Sequence, residues 1–328
     1  MRILISNLAL GAPAGSEKNT YITAVELKRR GHLVDCFSKS SGLTARHLQR
    51  DGIICFEREA PPGLEYDVIF SGHKDTSEYL IKRFPKIPMV VISRSTYNMQ
   101  ECLSEEILNH AKKIIAANEE VFERLKSDKT VLIRNGVDLT WYKPDPKYRM
   151  SDRIRIVQLS RIGGHRMPAV TTAMRVTKEL GGVYRICGFG HWDRVDKLQE
   201  ELKIPVFKME AIWDTADIIL QGDIVMGAAR CIMEGLACGK PCLPLSSFGS
   251  DDIVTLKNVE DLIKSEFHGK HMAYPLEPKE IAEKIRSIYN QRTLEEFKIE
   301  SRLIAEKYFD NKKRVGTLEE IFHEVTKG

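Results

Sequence analysis

Short apolar runs and helix-period segments alternate along most of this chain. Residues 2–8, RILISNL, make a nearly continuous apolar run of strand length, closed by the small-residue stretch GAPAGS. The next segment, EKNTYITAVELKRRG, carries Ile22, Val25 and Leu27 and stops on Gly31, a residue that ends helices readily. HLVDCFS is strand-like again, and YDVIFSG, IPMVVIS, KIIAAN and TVLIRN repeat the pattern, with helix-like segments between several of them. Strands that are apolar throughout, rather than at alternate positions, are buried on both faces. The alternation therefore predicts a parallel sheet with helices on each side, a doubly wound α/β arrangement.

The pattern pauses at NGVDLTWYKPDPKYRMSD, where two prolines, several charges and no periodicity predict a linker. It restarts at RIRIVQLS and continues through GVYRICG, IPVFKM, DIVMG and KPCLPL. Two α/β units are expected, over 1–148 and 149–306. The tail, LEEFKIESRLIAEKYFDNKKRVGTLEEIFHEV, reads as one or two amphipathic helices, with a basic break at Lys312–Arg314 that reads as a solvated turn.

Composition narrows the function classes. The chain has 328 residues, 42% of them hydrophobic, which is enough for two cores. A formal net charge of +4 is too weak to argue for nucleic acid and suits a small anionic ligand. The cysteine count, seven, is odd, and the cluster Cys231, Cys238 and Cys242 has neither zinc spacing nor a nearby histidine. These residues read as small buried side chains in a reducing, cytoplasmic compartment. The opening run ILISNLAL reads as a first buried strand, and no apolar stretch reaches the ~18 residues that a membrane span needs. LKRRGH and IKRFPK are either solvated helix surface or a basic face for peripheral contact with the inner face of the membrane.

In open α/β sheets ligands bind beyond the carboxyl ends of the strands, so residues just after each strand carry the chemistry. Within DIVMGAARCIMEGLACGKPCLPL, Arg230 falls in the first turn of a helix, with Glu234 one turn on. A cation at a helix start is unfavourable by about 0.3–1 kcal/mol, and arginine before glutamate is the poorer orientation of the pair. Two explanations stand: a ligand at the helix start, or a local salt bridge at a domain edge. In RIVQLSRIGGHRMPAV, Arg161 follows the strand and Arg166 lies across a glycine pair. Two guanidiniums on such a loop suit a diphosphate, because each presents paired donors to phosphate oxygens, although exposed basic loop residues are common. CGFGHWD adds Gly188 and Gly190 at another strand end. Neither it nor GAPAGS has the third glycine of a dinucleotide fingerprint.

Together these residues resemble the GT-B glycosyltransferases, family 4 in particular. The likeness runs through GAPAGSEKNTYITAVELKRRGHLV, VLIRNGVDLTWYKP, VQLSRIGGHR, ICGFG and GAARCIMEGLACGKPCL, with the last block and Asn135–Asp138 the most specific parts. The resemblance implies two Rossmann-like domains facing a cleft, an acceptor-side first domain and a donor-binding second one, with a C-terminal helix over 307–328 packing back towards the first. It implies a nucleotide-diphosphate sugar as co-substrate, UDP-sugar favoured and GDP-sugar next, with no other cofactor and no metal. Arg161 and Arg166 take the family's diphosphate-binding positions and Glu234 that of its ribose-binding glutamate. Gly15 and Ser16 would offer backbone donors at a helix start. Gly188, Gly190 and Arg230 would complete the donor site. The Ser250–Asp252 stretch reads as a polar turn.

Two departures matter. The family's first glutamate, which contacts the donor sugar, falls at Met226, and the first-domain histidine of many members is replaced by Arg94, with His73 not far away. The expected activity is metal-independent, retaining sugar transfer to a glycan, a lipid-linked or a small-molecule acceptor. A GT-B nucleotide-sugar epimerase and a non-catalytic nucleotide-sugar-binding subunit are the alternatives.

Overall fold

The computed structural model describes residues 1–60, 63–94, 103–148 and 151–327, with the side chains of 291 and 292 set aside. Arg149 and Met150, in the expected linker, lie outside the described residues. The chain divides into two compact units, Met1–Gly136 with Asp310–Gly328, and Val137–Phe309.

The first unit holds a seven-stranded parallel sheet made of β1 (Arg2–Ser6), β2 (Leu33–Ser38), β3 (Ile54–Glu57), β4 (Val68–Ser71), β5 (Met89–Ser93), β6 (Lys113–Ala116) and β7 (Thr130–Leu132), in the order β3-β2-β1-β4-β5-β6-β7. The central strands are buried along nearly their whole length because helices cover both faces. Cores form on each side, one including Ile3, Ile5, Phe70 and Ile92, the other Leu4, Ile69, Val91 and Ile114. The helix Asn311–Lys327 belongs to this unit. It sets Val315, Leu318 and Phe322 into the first core, and Asn311 Nδ2 donates to Ile22 O at 2.9 Å. The basic run Lys312–Arg314 is therefore its first turn and not a solvated loop. Arg314 is buried and donates from Nη1 to Thr23 Oγ1 at 2.8 Å, while Lys312 and Lys313 stay exposed.

The second unit repeats the plan. Its six-stranded sheet runs β10-β9-β8-β11-β12-β13, from β8 (Arg155–Ile162), β9 (Val183–Gly190), β10 (Val206–Glu210), β11 (Ile224–Gly227), β12 (Cys242–Ser246) and β13 (Gly249–Ser250). All pairs are parallel except β12 with β13. In both units the chain builds outwards on one side of the first strand and then crosses to its other side. The strand order thus reverses at β1/β4 and at β8/β11, the places beyond the carboxyl ends where open α/β sheets take ligands.

The segment read as linker is part of the second unit from Val137 onwards. Val137 N donates to Phe309 O at 2.7 Å, Tyr142 is fully buried, and Trp141 stacks on Trp213 with centroids 6.0 Å apart. Arg302 fastens it by donating to the carbonyls of Tyr142, Leu139 and Ala237. Two aromatic side chains outweigh the prolines and charges that suggested a free connection.

Candidate functional site

The reversal point of the second unit gathers the arginines. β8 ends with Arg161 and Ile162, and the chain turns at Gly163 (φ 131°) and Gly164 (φ 50°) before a short 3-10 turn and the helix Met167–Glu179. Glycine is favoured at 163 because the backbone is left-handed, and a Cβ there would also displace the exposed His191 ring, whose Cδ2 lies 2.5 Å away. Arg161 is exposed and lays its guanidinium over the Phe189 ring, 5.3 Å from its centre. Arg166 is half-buried. Burial first, and the like charge of Arg161 second, lower its pKa, and the Cys231 thiol is close enough to act on it in the opposite sense. The strand that leads into this loop packs near the helix Arg230–Ala237 that follows β11. Neither Arg161 nor Arg166 forms an ion pair among the described residues.

The turn from β11 into that helix is strained. Gly227 has φ 156°, and Ala229, the residue before the helix, is held at φ 51°, ψ −124°, a region that a residue with a Cβ seldom occupies. Its N–H donates to Glu266 O at 3.0 Å. Arg230 then pairs locally: its Nε donates to Glu234 Oε1 at 2.7 Å, with side-chain exposures of 15% and 3%. This is the local salt bridge that the sequence offered as one of two explanations for the pair. Thr215 Oγ1 donates to Glu234 Oε2 at 3.3 Å, and the Tyr142 hydroxyl lies 2.9 Å from Thr215 Oγ1. With the threonine proton directed at the carboxylate, Tyr142 is the donor to Thr215. Burial, and then the Glu234 charge, push the Tyr142 pKa up, so the phenol keeps its proton. Sequence reasoning missed Tyr142 and Thr215. Their one sequence signal is the aromatic pair Trp141–Tyr142, set in what looked like a linker.

The other second-unit residues have packing reasons of their own. A Cβ at Gly188 would sit 1.8 Å from Ser160 O and one at Gly190 1.9 Å from Ile162 O, so these glycines let β9 close against the end of β8 that carries Arg161. Met226 is fully buried in β11 and belongs to the core with Ile156 and Leu243. Asp251 is fully buried and accepts from Met272 N at 2.7 Å, while Asp252 pairs with Lys284 at 2.6 Å, so both tie down loops. Cys231, Cys238 and Cys242 are buried.

In the first unit Gly15 and Ser16 open the helix Gly15–Arg29. Its first backbone bond runs from Lys18 N to Ala14 O, so the N–H groups of residues 15–17 precede the helical ladder. The Ser16 hydroxyl donates to Glu17 Oε2 at 2.7 Å. Beyond β4 and β5, Arg94 lies against Gly72, where a Cβ would come within 2.4 Å of Nη1, and its charge acts on His73. These two residues, which the sequence left out of register, are neighbours. A polar layer supports them: Ser6 and Ser71 hydroxyls are 2.6 Å apart, Ser71 and Ser77 likewise, and Ser77 donates to His73 O at 2.8 Å. Asn135 and Gly136 are structural, Asn135 accepting from Asn19 Nδ2 at 3.0 Å and Gly136 leaving room for Asn311. The basic run Lys28–Arg30 is largely engaged within the unit, Lys28 with the carbonyls of Asp51 and Gly52, both arginines with Glu26, and Arg30 also with Glu319. Among the described residues no helix is long and apolar enough to cross a membrane.

Burial, and then Arg94, pull the His73 pKa down to about 4. An unfolded histidine titrates near 6.5, so between these values the unfolded chain binds more protons and folding stability falls as the pH falls. We expect acidification from pH 6.5 to 4 to cost about 2 kcal/mol at this residue, after allowance for its partial exposure. Comparing urea unfolding of the wild type and His73→Asn across this range checks it. Equal pH slopes for the two would show that the imidazole is not held neutral.

No protein-family model matches the chain, and no curated protein matches it. Solved structures do. A glycosyltransferase from Rickettsia africae is 17% identical with a TM-score of 0.73, covering 100% of this chain and 99% of its own. HepE from Anabaena, in complex with UDP-glucose, is 18% identical with a TM-score of 0.70 and the same coverage. A sucrose-phosphate synthase from Thermosynechococcus elongatus is 14% identical with a TM-score of 0.72, covering 99% of this chain and 98% of its own. At such identities the likeness defines the fold, and this chain has the two-unit GT-B fold.

Proposed function

We propose that the chain transfers a sugar from a nucleotide-diphosphate sugar to an acceptor hydroxyl. The observation that carries this reading is the guanidinium pair Arg161 and Arg166, at the strand-order reversal of a GT-B second unit, with no carboxylate partner for either among the described residues. Burial and the charge of Arg161 disfavour the Arg166 charge, and an anion with two adjacent phosphates relieves both effects. When the bond between sugar and diphosphate breaks, negative charge grows on the leaving phosphate, where fixed guanidiniums stabilise the transition state more than the ground state. Neutralisation by two arginines supports a metal-independent reaction. Family likeness in the sequence favours retention at the anomeric carbon.

In this reading Glu234 takes the ribose hydroxyls. Arg230 is its ion-pair partner, and the diphosphate competes for that guanidinium. Gly188 and Gly190 hold the end of β8 in place under Arg161. The N–H groups of Gly15 and Ser16 offer donors to an anion at a helix start of the first unit. Arg94 and the neutral His73 serve the acceptor side. The HepE complex supports UDP-sugar as the first donor to test, with GDP-sugar next.

The test is a melting screen against UDP, GDP, ADP, CMP and their sugars, followed by product analysis with and without EDTA. A matching nucleotide at 100 times its dissociation constant should stabilise the fold by about 2.7 kcal/mol. Failure of every nucleotide to shift the transition would overturn the reading. Stabilisation without transfer or hydrolysis would assign the chain as a binding subunit, a role that Met226 in the core favours. Donor interconversion without acceptor would make it an epimerase.

A further inference from the structure

Cys36 and Cys55 stand side by side on neighbouring strands of the first unit. The parallel register of β2 and β3 sets Asp35 beside Ile54, Cys36 beside Cys55 and Phe37 beside Phe56. Register-paired side chains share a face of the sheet, which sets the two thiols next to each other. Cys36 is fully buried, whereas Cys55 is partly exposed, with Sγ 3.8 Å from the carbonyl oxygens of Ala45 and Ile53.

The two sulfurs differ as an attacking and a resolving thiol differ. The Cys36 thiol beside it lowers the pKa of Cys55, while Cys55 and then burial keep the Cys36 thiol protonated. Neighbouring strands run about 4.8 Å apart, inside the Cα range of disulfides, but side chains that stand straight off a sheet keep their Cβ atoms wider than the mean of about 3.8 Å for a bridge. A bond across this pair is therefore closable and strained, and strain makes a disulfide easier to reduce. β3 is an edge strand with a neighbour on one side only, which lets it give towards β2.

We propose that Cys36 and Cys55 are a thiol modification site that closes to a reversible internal disulfide on meeting a small disulfide such as oxidised glutathione. The Cys55 thiolate attacks one glutathione sulfur, expels the first glutathione thiolate and becomes a mixed disulfide. The Cys36 sulfur gives up its proton, attacks Cys55 Sγ and expels the second glutathione thiolate. One S–S bond breaks for the one that forms; the two electrons pass to the glutathione sulfurs, and the two thiol protons end on them. The closed bond clasps the edge strand to its neighbour, and excess reduced glutathione opens it. None of this depends on the sugar-transfer reading.

The test uses the full folded chain, incubated with oxidised glutathione, quenched by acid, denatured, alkylated and mapped by peptide mass spectrometry. The expected result is loss of alkylation at Cys36 and Cys55 together, a linked peptide between them, and recovery of both on treatment with dithiothreitol. In Cys36→Ala, Cys55 should instead collect as the glutathione mixed disulfide. Wild-type chain in which Cys55 stays a thiol, or remains glutathionylated while Cys36 is still alkylated, overturns the proposal without recourse to any variant.

Discussion

Arg166→Ala is expected to lower kcat/KM for sugar transfer by about 10²–10³-fold, the usual effect of removing one preorganised donor to developing negative charge. The effect should fall mainly on kcat, because the phosphate charge that Arg166 meets is greatest as the glycosidic bond breaks. Stability should move by no more than about 1 kcal/mol. The reason is electrostatic. Burial and Arg161 both oppose the Arg166 charge, and no carboxylate among the described residues offsets them, so removing it takes away a cost along with some packing. Steady-state kinetics with the best donor from the melting screen, run beside urea unfolding, measure both quantities. Near-normal turnover in Arg166→Ala would remove the central residue of the proposed site. Arg161→Ala should behave similarly with a smaller loss, since Arg161 is exposed and its field is screened by water.

Glu234→Ala should show the opposite balance, a large loss of stability together with weaker nucleotide binding. Removing one member of a buried ion pair leaves the other uncompensated, at a cost of about 3–5 kcal/mol. Arg230 keeps 15% of its side-chain surface exposed, which puts the expectation at the lower end of that range. Thr215 also loses its acceptor, and the Tyr142–Thr215–Glu234 chain is broken where it reaches the carboxylate. The melting temperature should fall by on the order of 5–10 °C. The Arg230→Ala, Glu234→Ala double variant should recover part of the loss, because no charge is then stranded. A single Glu234→Ala variant as stable as the wild type would show that the carboxylate is not paired in solution as it is here.

The sequence carried the two parallel sheets in its apolar runs, because strands covered on both faces leave a pattern that needs no long-range information. It also carried Arg161, Arg166 and Glu234 as strand-end charges, since charge in an apolar setting is locally visible. What it did not carry were distances between segments. For Gly188 and Gly190 it gave no sign of the carbonyls of Ser160 and Ile162 that stand behind them. His73 and Arg94 come from different strand ends and meet only once β4 and β5 pair. Trp141 and Tyr142 lie between prolines and charges, so local statistics argue for a loop. Their burial depends on Trp213 and Thr215, some seventy residues away.

The placement of the helix Asn311–Lys327 orders events on the ribosome. The second unit is a single stretch of sequence, but the first is interrupted by it and completes a core only when Val315, Leu318 and Phe322 arrive. At roughly 5–20 residues per second, the nascent amino-terminal portion waits about ten seconds or more for that helix while the intervening unit emerges. Through this interval its apolar bed is open to chaperones and to neighbouring chains, so the portion synthesised first is the one finished last.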